Sequence, residues 1–176
     1  MPDILVVGAG NPLMGDDGAG IAVISALEQY PNLPFDVYDC GTDLLRLGIL
    51  DTPYSYVVII DAVRSGTEPG AVRWFFAQSP GQFSENESAH QLSVMESLQL
   101  LPLMNPVYRD TEFFIIGIEP GVVSTAHTLS EPVQRSVQSL VQLVLTPENL
   151  EKVISDYPNT RQEFDAVLPL VDPKLS

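Results

Sequence analysis

The chain has 176 residues, 45% of them hydrophobic, and its 8 basic and 23 acidic residues give a formal net charge of −15. This length and composition match one domain with a hydrophobic core, and they exclude a coiled coil, a collagen-like chain and a disordered chain. The negative net charge excludes nucleic acids and anionic membranes as partners, because their phosphate groups repel an acidic protein. Solubility is the simplest explanation of the acidity, and a preference for a basic partner or a metal cation is the alternative.

The first half of the chain alternates short apolar runs with helical patterns. Residues 3–8 form an apolar run with no basic segment before it, which favours a core strand over a signal peptide and predicts a cytoplasmic protein. No apolar stretch reaches the roughly 18 residues of a membrane span. The patterns then predict a helix over 18–30 capped by Asp16 or Asp17, a strand over 35–40, a short helix over 42–50 with Thr42 as N-cap, and a strand over 54–63.

The second half of the chain begins with a strand predicted over 72–77. Because only a short turn precedes it, we expect a hairpin with the strand before it and an antiparallel position at the sheet edge. The stretch 78–90 is the longest polar loop. The patterns after it predict a helix from near His90 to about Leu101, a strand over 111–120, a helix over 129–147 with Ser130 as N-cap, and a tail over 148–176 with one short helix and a poorly ordered end.

Strands that alternate with helices indicate an α/β fold. We expect a five-stranded, mostly parallel sheet with helices on both faces and one antiparallel edge strand. Residues 1–147 form a single domain in this interpretation, and residues 148–176 form its tail. Ligands of such sheets bind at the carboxyl ends of the strands, so the polar residues that follow those ends are the candidate site.

Polar residues follow the predicted ends of the first three strands. They are Asn11, Asp16 and Asp17 after the first strand, Asp39, Cys40, Gly41 and Thr42 after the second, and Asp61 at the end of the third. The long polar loop leads to His90, at the start of a helix. These segments are far apart in sequence, but the fold is expected to bring them to one edge of the sheet.

A dinucleotide site is one interpretation of the glycine-rich stretch after the first strand. Gly8 and Gly10 fit the G-x-G-x-x-G fingerprint, but Leu13 stands at its third glycine position. Asp16 and Asp17 would also oppose a pyrophosphate at the helix N-terminus. No G-K-[ST] follows, so a Walker A loop is absent as well.

A metal cation suits the same set of residues better. Two carboxylates and one imidazole from separate strand ends can bind zinc, nickel, cobalt or manganese, and Asp17, Asp61 and His90 are the three best candidates. Each also has a structural explanation, because an aspartate can cap a helix and a lone histidine is often structural. His127, the other histidine, lies in the loop after the last strand and is interpreted as a loop residue.

A nucleophilic mechanism has little support in the sequence. There is no G-x-S-x-G elbow. Cys40 could pair with His90 as thiol and base, but a buried structural cysteine is the favoured interpretation. Because Cys40 is the only cysteine, an intramolecular disulfide and a cysteine-based zinc site are both excluded.

Over about residues 3–145 the sequence resembles the hydrogenase maturation proteases. The segments that carry the resemblance are GAGNPLMGDDGAG at 8–20, DCGTD at 39–43, VVIIDAV at 57–63, SAHQLSV at 88–94 and GIEP at 117–120. The first block is specific, because it joins the glycine turn to the acidic pair. The resemblance implies a three-layer α/β/α sandwich that trims the C-terminal extension of the nickel–iron hydrogenase large subunit.

The resemblance also implies roles for individual residues. The family's three metal-binding positions fall on Asp17, Asp61 and His90, and Asp17 stands where the family more often has Glu. The family's D-G-G-T turn, which is associated with substrate recognition and cleavage, appears as residues 39–42. This implies catalytic roles for Asp39, Gly41 and Thr42. Cys40 replaces a glycine of that turn, so a positive φ angle is not expected at residue 40.

The resemblance implies that the enzyme senses nickel already installed in its substrate, so that it needs neither a permanent metal ion nor an organic cofactor. The sequence therefore predicts an endopeptidase whose partner is a nickel–iron hydrogenase large subunit precursor. A bound zinc that activates water is a mechanism the sequence leaves open. A nickel carrier without protease activity and a nucleotide-binding module are the alternative functions.

Overall fold

The computed structural model describes residues 3–76 and 89–156. Its strands are β1 (Ile4–Ala9), β2 (Asp36–Gly41), β3 (Tyr56–Ala62), β4 (Val72–Phe76) and β5 (Glu112–Ile118). Its α-helices are α1 (Ala19–Leu27), α2 (Ala89–Met104), α3 (Glu131–Leu145) and α4 (Pro147–Asp156). Three short 3-10 turns lie at Gly15–Gly18, Leu44–Ile49 and Pro106–Tyr108.

The five strands form one sheet in the order β2-β1-β3-β5-β4. The first four of these are parallel, and β4 pairs antiparallel with β5 at the edge. This confirms the expected sheet with its single antiparallel strand. The carboxyl ends of β1, β2, β3 and β5 therefore meet at one edge, where the candidate residues were expected.

Apolar side chains on the two faces of the central strands build two separate cores. Alternate residues such as Val6, Val58 and Ile116 pack with α1, α3 and α4 on one face. Their neighbours, such as Val7 and Ile59, pack on the other face with α2 and the turns beside it. Period-two alternation with both faces buried explains why these strands are continuous apolar runs. The three-layer α/β/α sandwich is confirmed.

The expected hairpin between β3 and β4 is wrong. β5 lies between these strands, and β4 pairs with it through Val72 to Ile118 and Trp74 to Ile116. The connection from β3 therefore crosses the end of β5, where the carboxylate of Glu119 accepts hydrogen bonds from the amide and hydroxyl of Ser65. The buried carboxylate of Glu119 thus fixes the connection between β3 and β4. The local sequence of that connection indicates only a turn.

Helix caps differ from the sequence expectation in two places. The helix predicted over 42–50 is a 3-10 turn, and its cap is Asp43, whose side chain accepts from the amide of Leu45. Thr42 is therefore not the cap. The first helix begins after Gly18, and neither preceding aspartate caps it. Ser130 does stand at the N-cap position of α3, but its side chain makes no capping bond to that helix.

The helix α4 begins where the tail was expected to start. It provides the short helix predicted there, and Leu150 and Ile154 are buried in the same core cluster as α1 and α3. Residues 157–176, which include the expected poorly ordered end, lie outside the described residues. Of the helices that the structure describes, none combines the length and the hydropathy required to cross a membrane.

Candidate active site

A pocket of about 90 Å³ lies at the carboxyl ends of the central strands. Its lining residues from the sheet and the following segments are Ala9, Gly10, Gly41, Thr42, Asp43, Leu44 and Asp61, and α2 adds Val94 and Ser97. A cavity of this size has room for a few water molecules. A drug-sized ligand or a nucleotide needs several times more, so this pocket suits an ion or a small chemical group.

Asp61 is a buried carboxylate at this pocket. It ends the apolar run of β3, is only 1% exposed, and its Oδ1 accepts a 2.8 Å hydrogen bond from the amide of Ala62. Side chains alternate along a strand, so Asp61 shares the face of Val57 and Ile59, which is the face covered by α2. This explains why Asp61 meets the pocket residues that α2 contributes.

Gly10 lies between Asp61 and the backbone of Asp17. A β-carbon added at Gly10 would sit 1.9 Å from the carbonyl oxygen of Asp17 and 3.6 Å from Oδ1 of Asp61. Gly10 also has a φ angle of +124°, which side chains rarely allow. The glycine turn therefore does serve close approach, but the groups that approach it are the backbone carbonyl of Asp17 and the carboxylate of Asp61, where a phosphate-binding loop would present backbone amides.

Asp17 keeps its carboxylate partly exposed beside this turn. Its Oδ2 accepts a 3.0 Å hydrogen bond from the amide of Asn11, and the same amide lies 3.2 Å from the carbonyl of Asp17. These contacts hold Asp17 against the end of β1. Asn11 in turn accepts from the amide of Leu13 through its side chain, so this expected site residue shapes the loop.

His90 lies in the first turn of α2, as the sequence predicted, but its side chain is outside the described part of the structure. Among the side chains that are described, no group of three His, Cys, Asp or Glu residues could hold a metal ion. The set of Asp17, Asp61 and His90 therefore stays a prediction. His127 is exposed in the loop after β5.

The turn at 39–42 supplies a second wall of the pocket. Gly41 and Thr42 line it, and the carbonyl of Gly41 accepts from the amide of Gly10 at 2.9 Å. Asp39 is exposed and is not among the lining residues, but its carboxylate accepts from the amide of Gly41 at 2.8 Å. Gly41, with φ of +62°, takes the left-handed position of this turn.

Cys40 of the same turn is fully buried. Its thiol donates to the carbonyl of Asp43, and burial raises the pKa of the thiol to about 12. A thiol with this pKa is protonated at neutral pH and is a poor nucleophile. The structure thus favours the buried cysteine that the sequence suggested over a thiol–imidazole pair.

Asp16 is fully buried and joins two loops. Its carboxylate accepts from the amides of Gly121 and Val122 at 2.8 Å, and from the amide and hydroxyl of Ser130 at 2.6 and 2.8 Å. Burial alone would raise the pKa of this carboxyl, but these hydrogen bonds outweigh it and hold the pKa below its ordinary 3.8. The expectation that Asp16 caps the first helix is wrong, because both of its carboxylate oxygens accept hydrogen bonds from the loop after β5.

Glu119 is a buried carboxylate to which the sequence assigned no role. It is 6% exposed and accepts from Ser65 and from the hydroxyl of Thr67. Burial would raise the pKa of Glu119, but these hydrogen bonds lower it below its ordinary 4.5. The sequence does show a glutamate directly after a buried strand and before a proline, which could have indicated a structural role. Its hydrogen-bond partners, however, are more than 50 residues away in the sequence.

Comparison with known proteins adds evidence that is independent of this geometry. A family model described as HycI, hydrogenase maturation protease, matches residues 21–147. The chain is 26% identical over 147 residues to hydrogenase 3 maturation protease of Escherichia coli, covering 81% of this chain and 88% of that protein. It is also 26% identical over 163 residues to coenzyme F420 hydrogenase subunit delta of Methanothermobacter thermautotrophicus, covering 85% and 97%.

A solved structure shows the same likeness in three dimensions. The NiFe hydrogenase maturation protease HybD from Thermococcus kodakarensis superposes with a TM-score of 0.70 at 30% sequence identity. The superposition covers 84% of this chain and 98% of that chain. The likeness therefore extends over most of this chain and nearly all of that one.

Proposed function

The chain belongs to the hydrogenase maturation protease family and is a peptidase, and we propose that it removes the C-terminal extension of a nickel–iron hydrogenase large subunit precursor after nickel insertion. In this proposal the nickel belongs to the substrate, and the peptidase recognises it. One observation carries the proposal: Asp61 is buried at a pocket of about 90 Å³, with Gly10 between it and Asp17.

The donor chemistry of the pocket supports recognition of a metal ion. Carboxylate and imidazole ligands together can bind nickel, as they bind other divalent transition metals. A buried carboxylate at a pocket is a ligand type that coordinates metal ions in proteins. A nickel ion on the precursor would meet Asp61 when the substrate is bound, and an incomplete ligand set on the enzyme leaves positions for the precursor's own ligands.

Helix geometry supports the inclusion of His90 in this set. Residues spaced four and seven positions apart share one face of an α-helix, and Val94 and Ser97 of α2 line the pocket. Position 90 falls on that same helical face, one turn nearer the start of α2. We therefore propose Asp17, Asp61 and His90 as the nickel-recognising residues.

We assign the turn at 39–42 to the peptide segment that is cut. Gly41 and Thr42 line the pocket directly, and Asp39 fixes the turn by accepting from the amide of Gly41. A substrate whose nickel is recognised by Asp61 would bring its neighbouring backbone past this turn. Asp39, Gly41 and Thr42 are thus the proposed cleavage residues.

The test is a cleavage assay on a purified large subunit precursor prepared with and without nickel. Loss of the C-terminal extension is followed by mass spectrometry. We expect the nickel-loaded precursor to be cut and the nickel-free precursor to remain intact. Equal cutting of both would refute nickel recognition, and an uncut loaded precursor whose nickel is transferred would identify a carrier instead.

Variants locate the recognition site. Asp61→Asn and His90→Ala are expected to leave the fold intact, as judged by circular dichroism, and to leave the loaded precursor uncut. Asp36→Asn is the matched control, because Asp36 is exposed at the start of β2, at the opposite end of the sheet. Wild-type cleavage by His90→Ala would remove His90 from the proposed set.

A further inference from the structure

Arg46 places a positive charge against the turn at 39–42. Its Nη1 donates a 3.3 Å hydrogen bond to the carbonyl of Cys40, and a β-carbon added at Gly41 would lie 3.4 Å from the same nitrogen. Its guanidinium carbon lies 6.0 Å from the centre of the Tyr38 ring, within reach of a cation–π contact. Arg46 is exposed, so these neighbours, rather than burial, set the position of its guanidinium.

This guanidinium lies outside the pocket but next to its wall. Gly41 lines the pocket, and Arg46 does not. Arg46 belongs to the 3-10 turn whose residues Leu44 and Leu47 pack in the same core cluster as α2. It therefore lies on the face of the sheet that carries the pocket, beside the edge strand β2. A peptide that runs along the turn at 39–42 into the pocket passes this charge.

The fold leaves this charge without an acidic partner in the described part of the chain. Asp39 and Asp43 are near Arg46 in sequence, but each carboxylate accepts from a backbone amide two residues further on. The structure pairs Arg135 with Glu131 but pairs Arg46 with no described carboxylate. A guanidinium has five N–H donors, and the Cys40 carbonyl takes only one bond from it. A chain with a net charge of −15 thus keeps a cation with spare donors beside the candidate site.

We propose that Arg46 binds a carboxylate of the peptide segment that is cut, and so helps to select the substrate; this rests on the function proposed above. A guanidinium and a carboxylate can form two parallel hydrogen bonds with a fixed geometry, which adds selectivity as well as affinity. Asp43 and Asp61 line the pocket itself and repel a carboxylate there. The acidic group is therefore bound at the edge of the pocket, while the nickel of the substrate is recognised within it.

The test compares wild type with Arg46→Gln, which removes the charge at an exposed position and should keep the fold, as checked by circular dichroism. Binding of the nickel-loaded precursor is measured by biolayer interferometry, and cleavage by mass spectrometry. We expect Kd and KM to rise about tenfold while kcat stays within about twofold, because the contact acts on binding. Arg109→Gln is the matched control, since Arg109 is exposed just before β5, at the opposite end of the sheet.

Altered precursors show where the carboxylate comes from. In one, the Asp and Glu residues next to the cut bond are changed to Asn and Gln. In another, a short Gly-Ser segment added after the extension moves the C-terminal carboxylate away. We expect one of the two to bind wild type about tenfold more weakly than the native precursor does, and to bind wild type and Arg46→Gln equally. A purely structural role of Arg46 in the turn would instead weaken the binding of every precursor alike.

The outcomes separate the carboxylate contact from the proposed function. Unchanged Kd and KM in Arg46→Gln, an equal rise in Arg109→Gln, or the same loss with every precursor overturns the contact, while cleavage by wild type still supports the function. A lower kcat at unchanged KM also overturns it, because the guanidinium would then act on the reaction and not on binding. If wild type binds the precursor without cutting it, and Arg46→Gln weakens only the binding of the native precursor, the contact stands and the proposed cleavage fails.

Discussion

The carboxylate of Asp16 accepts both the backbone amide and the hydroxyl of Ser130, which lies 114 residues further along the chain. Ser130 is the N-cap residue of α3 but makes no capping bond to that helix, because its side chain is committed to Asp16. The contact therefore anchors the start of α3 to the loop that carries Asp17. Stability and site geometry depend on the same buried carboxylate.

Replacement of Asp16 by Asn should destabilise the protein strongly. The amide group of asparagine presents two donors where four donors already converge, so buried N–H and O–H groups lose their acceptors. We expect the free energy of unfolding to fall by about 3 kcal/mol, measured by urea denaturation. Asp17→Asn is the control, and because Asp17 is partly exposed it should cost under about 1 kcal/mol. Equal losses in the two variants would contradict the role of Asp16.

Stability should decrease in acid because two buried carboxyls have lowered pKa values. The pKa of Asp16 lies below 3.8 and that of Glu119 below 4.5, since the hydrogen bonds to each outweigh its burial. A carboxyl with a lowered folded pKa stabilises the protein above its unfolded pKa and loses that contribution as the pH falls through the folded value. We expect the urea concentration at the unfolding midpoint to decrease once the pH is lowered below about 4.5.

A variant isolates these two carboxyls in the acid titration. Asp16→Asn/Glu119→Gln should be less stable than wild type at pH 7, and the difference should shrink as the pH falls through the lowered pKa values of the two wild-type carboxyls. Urea curves at each pH supply the measurement. A difference that stays constant over this range would show that neither group has a lowered pKa.

Cys40 should be unnecessary for cleavage. With the pKa of its thiol raised to about 12 by burial, about one thiol in ten thousand is ionised at pH 8. Native protein should therefore resist iodoacetamide at pH 8, whereas urea-unfolded protein should react. Cys40→Ala should retain precursor cleavage and lose about 1–2 kcal/mol of stability from the small cavity it leaves. Loss of cleavage by a folded Cys40→Ala protein would restore the thiol mechanism.

Local sequence patterns predict the elements of this fold well, and long-range contacts explain where they fail. The apolar runs around Val6 and Val58 are buried on both faces, so their strands and the three-layer arrangement follow from pattern alone. The pairing partner of β4 does not follow from the sequence pattern, because the short turn before β4 is equally compatible with a hairpin to β3. Its position is decided by β5 and by Glu119, which receives the connection from β3.

The candidate site divides in the same way. Asp61 and Gly41 could be placed because parallel strands bring their carboxyl ends to one edge. Asp16 could not be distinguished from a helix cap, because its four donors come from residues 105 to 114 positions away. In the sequence Leu13 is only a departure from a nucleotide fingerprint, and its exposure is visible only in the folded chain.

Gly10→Ala should disrupt both the fold and the site. The new β-carbon would lie 1.9 Å from the carbonyl oxygen of Asp17, and φ at residue 10 is +124°. The backbone of Asp17 must move to relieve this overlap, so we expect a loss of at least about 3 kcal/mol in unfolding free energy and loss of precursor cleavage. Gly66→Ala separates the two causes, because Gly66 has φ of +79° but nothing within 4 Å of a β-carbon. It should cost only the backbone penalty of about 1 kcal/mol and cut the precursor at the wild-type rate. If urea denaturation finds Gly10→Ala no more damaging than Gly66→Ala, the close approach of the Asp17 backbone to Gly10 is wrong, and with it the support that this turn gives for placing Asp17 beside Asp61.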